Sequence, residues 1–203
     1  MSWYDRYVLP RVTDLVCGYP GITGLRESAV EGLSGRVIEL GFGSGHNIGV
    51  LPPEVTELAA VEPSDTAWEL AAPRVLASPV PVSRVGLDAQ KLDADDDSYD
   101  AALVTFALCT IPDPSAALAE VRRVLKPGGK LHFVEHGRAP DAGVARIQRT
   151  IQPVWGAMAG GCHTGRPIDD LVRDAGFDLE IKTFYGARPR FAAYFYLGTG
   201  TLA

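Results

Sequence analysis

An α/β architecture, with a mostly parallel sheet, helices on both faces and an antiparallel edge, follows from three features of this 203-residue sequence. Short apolar runs alternate with helical stretches through short connections, the pattern of a parallel sheet. The first apolar run, Val37, Ile38 and Leu40, ends in glycines at alternate positions, Gly41, Gly43 and Gly45. A strand that passes through such a turn into a helix makes a nucleotide-sized crevice. Near the C-terminus, Phe177–Phe184 and Phe191–Leu197 follow one another with no helix between them, which suits an antiparallel hairpin at a sheet edge.

In chain order, residues 3–30 read as two short helices split near Gly18–Gly24. Tyr4, Tyr7, Val8, Val12 and Leu15 fall at roughly helical spacing, and Pro10 marks a break or a first turn. This segment either folds back across the crevice as a lid or packs as an ordinary helix. A helix opens near Ser44–His46 and is closed by Leu51-Pro52-Pro53. Residues 56–62 form a second strand ending in Val61-Glu62-Pro63, and Ser64 caps a helix reaching Ala77. Val80–Val85, alternating around Pro81, is a third strand towards an edge. Tyr99–Phe106 is a fourth. Asp113 caps a helix over Pro114–Leu125 whose buried face is Leu118, Val121, Val124 and Leu125. Lys126-Pro127-Gly128-Gly129-Lys130 stops it, and Leu131–Glu135 is the fifth strand, running into Glu135-His136-Gly137. Ala142–Met158 reads as a helix interrupted by Pro153, Gly160–Pro167 as a loop, and Ile168–Ala175 as a helix closed by Gly176. With no repeat or linker, residues 1–203 are expected to form a single domain, 1–30 as an N-terminal helical lid and 31–203 as the core.

Hydrophobic residues make up 46% and charged residues 22%, the balance of an ordinary globular protein. A net charge of −6 argues against a nucleic-acid partner, which normally needs a basic patch. No run approaches the ~20 apolar residues of a membrane span. The opening Met-Ser-Trp-Tyr-Asp-Arg-Tyr does not read as a signal peptide. Cys17, Cys109 and Cys162, odd in number and widely spaced, suit reduced thiols in a cytoplasmic protein. No His, Cys and acid set has metal-ligand spacing, so no metal is expected.

Glycine spacing selects the nucleotide. The dinucleotide fingerprint G-x-G-x-x-G would need a glycine where His46 stands. Glu39, two residues before Gly41, would repel a pyrophosphate and suits an ammonium group. Glu62, at the end of the second strand, is placed to accept hydrogen bonds from both hydroxyls of a ribose. Asp88 can accept from an adenine amino group while Ala89 offers its backbone N–H to a ring nitrogen.

The run Glu39-x-Gly41-x-Gly43-x-Gly45 resembles the first motif of class I methyltransferases that use S-adenosyl-L-methionine. With Glu62, the Ser98-Tyr99-Asp100 strand entry and Leu125-Lys126-Pro127-Gly128-Gly129, it stands in the order expected of small-molecule members of that class, and the resemblance covers about residues 33–198. It implies S-adenosyl-L-methionine as cofactor and a Rossmann-like, seven-stranded, mostly parallel sheet with an antiparallel last strand. It also implies a glycine turn that receives the aminoacyl part, with Glu39 near the ammonium. Glu62-Pro63 would lie at the ribose, and Thr105 and Phe106, followed by Ala107, would border the methyl group.

A narrower resemblance rests on Leu108-Cys109-Thr110, Phe133-Val134-Glu135-His136, Gln152-Pro153-Val154-Trp155 and Gly161-Cys162, which look like segments of the methyltransferase-like thiol methyltransferases of vertebrates. Those enzymes methylate small thiols and are membrane-anchored through an apolar N-terminal segment. The short polar opening of this chain departs from them, so no integral membrane anchor is expected. Ubiquinone and menaquinone C-methyltransferases share the general motifs. The expected partner is therefore a small, apolar methyl acceptor, with a thiol favoured and O- or C-methylation of a quinone or polyketide-like molecule as the alternative.

His136, at the carboxyl end of the fifth strand, is the leading catalytic base. His163 is a second catalytic candidate, lining the acceptor pocket from the Gly160–Gly165 loop. His46 either shapes the cofactor site or lies exposed in a first turn, and His132 reads as structural. Cys109 and Cys162 read as small buried residues rather than nucleophiles. Tyr4 and Tyr7 are placed to close over the cofactor, and Trp155 to wall the acceptor pocket.

Overall fold

The computed structural model describes residues 3–186 and 188–202. Its seven strands are β1 (Gly35–Leu40), β2 (Val55–Val61), β3 (Val82–Gly86), β4 (Tyr99–Thr105), β5 (Leu125–His136), β6 (Phe177–Tyr185) and β7 (Tyr194–Leu202). They form one sheet in the order β3-β2-β1-β4-β5-β7-β6. β1 to β5 pair in parallel, while β7 lies antiparallel between β5 and β6. The α-helices are α1 (Leu9–Cys17), α2 (Pro20–Ala29), α3 (Asp65–Leu76), α4 (Pro114–Val124), α5 (Ala142–Met158) and α6 (Ile168–Asp174).

Period-two alternation divides β1 between two cores. Ile38 and Leu40 face one side, packed with Val104, Phe133, Leu118 and Val121; Val37 faces the other, with Val30, Leu58 and Leu103. Glu39 shares the face of Val37. α4 buries Leu118, Val121 and Val124, with Leu125 following, the face its periodicity predicts. Both predicted N-caps form: Ser64 Oγ accepts from Ala67 N at 3.2 Å, and Asp113 Oδ1 accepts from Ala116 N at 3.0 Å. The strand order reverses between β1 and β4, and the crevice for a ligand lies outside the carboxyl ends of the strands at such a switch point.

Four local expectations change. The break between the first helices is confined to Gly18–Tyr19, and Pro10 stands in the first turn of α1, directly after a π-helical turn over Tyr4–Val8. After the glycine turn there is only a 3₁₀ turn, His46–Val50, instead of a helix. Leu51 is already extended at ψ 131°, the region into which a following proline forces a residue. The Lys126–Gly129 turn sits inside β5, where the pairing register with β4 shifts and Gly128 takes φ 74°. α5 runs unbroken through Pro153. Its backbone is anchored by the buried Gln148, whose amide donates to the carbonyls of Gly137, Thr164 and Phe191 and accepts from Ala139 N. Trp155, beyond the proline, stacks edge-on against Phe191 at 5.7 Å, so tertiary contacts hold both halves.

Candidate active site

The carboxyl ends of β1, β2, β4 and β5 meet at one edge of the sheet, and each delivers a polar or aromatic group there. β1 ends in the glycine turn. Gly41, Gly43 and Gly45 have φ of 70°, 60° and 77°, the left-handed region that other residues enter at a cost. A Cβ on Gly41 would stand 2.4 Å from the Cβ of Ala107, so the turn lies directly against the segment that follows β4. Gly43 N donates to Glu62 Oε2 at 2.7 Å, and Ser64 N donates to Glu62 Oε1 at 2.8 Å. Each Glu62 oxygen accepts one of these bonds and, as a carboxylate oxygen, has capacity for another. Burial raises the Glu62 pKa, opposed by those two N–H groups. Pro63 follows directly. Arg84 of β3 donates twice to the Glu62 carbonyl, at 2.9 and 2.7 Å, and fixes this strand end.

Beneath the turn lies a buried polar network that joins Glu39 and Thr105, both named from the sequence, to Arg26 and Asn47, which were not. Arg26 Nη1 donates to Asn47 Oδ1 and Thr105 Oγ1, both at 2.8 Å. Asn47 Nδ2 donates to Glu39 Oε1 at 2.7 Å and reaches Thr105 Oγ1 at 2.9 Å. Glu39 is 1% exposed, and its Oε2 has no hydrogen-bond partner. Burial lifts its pKa to about 8, against the lowering pull of Asn47 and Arg26. An unsatisfied buried acceptor costs about 1–3 kcal/mol, so an orphaned oxygen at a crevice is a place for a ligand donor. Asn47, two residues past Gly45, had a signal in the motif; Arg26, on a helix before the first strand, had none.

The N-terminal segment reaches this end of the sheet. His46 Nε2 meets Asp14 of α1 at 2.9 Å, and Arg74 of α3 bonds both Asp14 and the Ser44 carbonyl. Burial lowers the His46 pKa. Tyr4 donates to the Met158 carbonyl at 2.9 Å, whereas Tyr7 is 41% exposed beside Trp3. His132 is buried and contacts the Ala29 carbonyl at 3.1 Å, a structural position.

Asp88 lies exposed after β3, and its Oδ1 accepts from the backbone and side-chain N–H of Gln90, both at 2.9 Å, which lower its pKa. Ala89 beside it is buried.

The opposite end is aromatic and sulfur-rich. Phe106 has φ 57°, a left-handed conformation that strains a residue with a bulky side chain. It is held there by its own N–H on Val134 O and by buried Glu135, which accepts from the N–H groups of Ala107, Leu108 and Cys109. Burial raises the Glu135 pKa to about 7. The His136, Phe106 and Phe195 rings form a triangle, with His136 5.0 Å from Phe106 and 5.2 Å from Phe195, and the two phenylalanines 6.0 Å apart. Arg26 lies 5.5 Å from the Phe106 ring on its way to the buried network, linking the two ends.

His163 does not join His136. It is exposed, and its backbone N–H donates to the Cys109 carbonyl at 2.7 Å, which turns the preceding Cys162 inward instead. Cys109, His136 and Cys162 come together with their ligand atoms within 4.8 Å of one another. Sequence spacing predicted no such set, because its members come from three distant segments. The Cys162 thiol is held well below its usual pKa, first by the Cys109 thiol and then by His136 and the Trp155 indole, while Cys109 is pushed up. All three cysteines are free.

Residues 38–133 match the family model of a methyltransferase domain. The thiol S-methyltransferase TMT1B of Rattus norvegicus is 34% identical over 163 residues, 76% of this chain and 63% of the relative. A demethylmenaquinone methyltransferase of Clavibacter sepedonicus is 34% identical over 105 residues, 52% of this chain and 42% of that one. The solved structure of an S-adenosylmethionine-dependent methyltransferase from Thermotoga maritima superposes with a TM-score of 0.70 at 24% identity, covering 98% of both chains. Residues 38–133 therefore carry a methyltransferase domain, and the Rossmann-like fold around it is shared with the Thermotoga maritima S-adenosylmethionine-dependent methyltransferase. The chain spans a little under two thirds of the length of the TMT1B relative, 63%. Among the described residues, no helix is long and apolar enough to cross a membrane.

Proposed function

We propose that this protein transfers the methyl group of S-adenosyl-L-methionine to a small apolar acceptor, and that the acceptor is a thiol. The observation that carries the acceptor is the 34% identity to a thiol S-methyltransferase across 163 residues.

The residues present fit the cofactor. Orphaned Glu39 Oε2 suits its ammonium, the glycine turn leaves room for its aminoacyl part, and the remaining acceptor capacity of Glu62 suits both ribose hydroxyls. We assign Asp88 and Ala89, after β3, to the adenine edge. When bound, the sulfonium supplies an electrophilic methyl group without protein activation.

The remaining task of the chain is to orient the acceptor and exclude water. A thiolate and a sulfonium cancel charge as they react, so an apolar surrounding such as the Phe106 and Phe195 rings favours the transition state over the separated ions. Ionising a thiol of pKa ~8.5 at neutral pH costs about 2 kcal/mol, and a phenol of pKa ~10 about 4 kcal/mol. A thiol acceptor therefore needs little help from a base, and a phenol or carbon acid needs more. That difference gives His136 its role in the second reading, O- or C-methylation of a quinone-like molecule, which the demethylmenaquinone methyltransferase relative supports. We read His163 as a contributor to the loop at this end. We read residues 1–30 as a lid held by Asp14 and Tyr4 over a core of 31–203, in one domain and, given three free thiols, in the reducing cytoplasm.

The test is methyl transfer to a panel of two apolar thiols, a phenol and a quinol, with products identified by mass. Enzyme-dependent S-methyl product supports the thiol reading. Product from the phenol or quinol alone replaces it with the second.

A further inference from the structure

We propose that Cys109, His136 and Cys162 form a binding site for one thiophilic divalent cation of the zinc type. The three belong to the turn after β4, the last residue of β5 and the loop after α5. Cys109 Sγ lies 3.9 Å from His136 Nδ1, and the three ligand atoms are all within 4.8 Å of one another. Zinc at ~2.3 Å from sulfur and ~2.0–2.1 Å from nitrogen brings tetrahedral ligand atoms to roughly 3.5–3.8 Å apart, so small side-chain rotations close the set. Two thiolates and an imidazole are a known ligand choice for zinc sites that keep a fourth position for water or substrate.

The surroundings hold the ligands in place. The His136 ring packs against the Phe106–Phe195 pair. The Cys109 backbone is pinned at both ends, its N–H on Glu135 and its carbonyl on His163 N. The Cys162 carbonyl accepts from Gln152 Nε2 at 2.9 Å. Cys162 is 6% exposed and Cys109 1%. Two buried thiols beside the Glu135 carboxyl cannot both ionise without a counter-charge, and a divalent cation supplies it, each bound thiol giving its proton to solvent. Arg166 is the nearby cation already present, but its Nη1 is committed to the Leu108 and Ile111 carbonyls. A His136 engaged on the ion is no longer a free base, so the site favours the thiol reading above; ion binding itself is measured without any acceptor and fails or stands separately from that reading.

The test uses the full chain, reduced and stripped of metal, titrated with Co²⁺. The expected result is one equivalent of Co²⁺ with a thiolate-to-cobalt charge-transfer band, displaced by one equivalent of Zn²⁺. Cys109→Ser and Cys162→Ser should each weaken Co²⁺ binding by more than roughly 100-fold, beyond the 10–100-fold effect of changing an outer partner. Cys17→Ser should leave both band and affinity unchanged. Calorimetric binding of S-adenosyl-L-methionine to each variant verifies the fold. A reduced, cofactor-binding wild-type protein without the band overturns the site. So does a band that survives in the Cys109→Ser/Cys162→Ser double variant.

Discussion

The two ends of the crevice are built in opposite ways. The end proposed for the cofactor is made of backbone: three left-handed glycines and the N–H groups of Gly43 and Ser64, with carboxylates one strand apart. The end proposed for the acceptor is made of side chains, Phe106, Cys109, His136, Cys162 and Phe195, brought together from four segments. A backbone site is written into a short run of sequence and tolerates almost no change. A side-chain site depends on the packing beneath it, and its specificity can change while the cofactor end stays as it is.

Substitutions that separate the two ends test this contrast. The largest effect is expected from Gly41→Val. Its side chain would run into Ala107 and occupy a left-handed φ, costing about 1–3 kcal/mol for overpacking and a similar amount for strain. Cofactor binding should fall below detection in calorimetry, with a clear drop in thermal midpoint. Glu62→Ala should weaken cofactor binding roughly 100-fold or more, at about 1.5–3 kcal/mol for each hydrogen bond to a charged acceptor, with little change in which acceptors are used. Unchanged affinity would remove Glu62 from the ribose.

Glu135→Gln should act on the other end. Its amide would face N–H donors at the turn after β4, and a loss of about 1–3 kcal/mol in denaturant unfolding is expected. Acceptor KM should rise while cofactor affinity changes little; equal loss of both would mean that the ends are not separable. His136→Ala should slow any O- or C-methylation more than S-methylation, and equal slowing would show that the ring holds structure rather than a proton.

The smallest effect is a pH dependence at Glu39. Its folded pKa of about 8 lies above the ordinary carboxylate value, so between the two the folded chain holds a proton that the unfolded chain has lost. That contribution to stability is fully present below the unfolded pKa and is lost as pH rises through about 8. Binding an ammonium favours the ionised form, so cofactor affinity should rise with pH up to about 8 and binding at neutral pH should release a proton. Calorimetry in two buffers of different ionisation enthalpy measures that proton. None released would place the ammonium elsewhere.

The sequence by itself determined the alternation of strand and helix in the parallel half, the N-caps Ser64 and Asp113, the buried face of α4, the glycine turn and the reversed C-terminal hairpin. Each of these rests on local rules: period two, period 3.6, a capping oxygen, or a residue that tolerates positive φ. Tertiary structure alone decided the rest. Gln148 together with Trp155 carries α5 through Pro153, where the residues alone signal a break. Arg26 reaches the cofactor network from a helix with no motif, because Thr105 and Asn47 leave acceptors that only a long side chain on that face can meet. Cys162, rather than His163, faces His136 because the N–H of residue 163 bonds the carbonyl of Cys109. Such contacts join residues far apart in the chain, and their geometry exists only once the sheet has brought the segments to one edge.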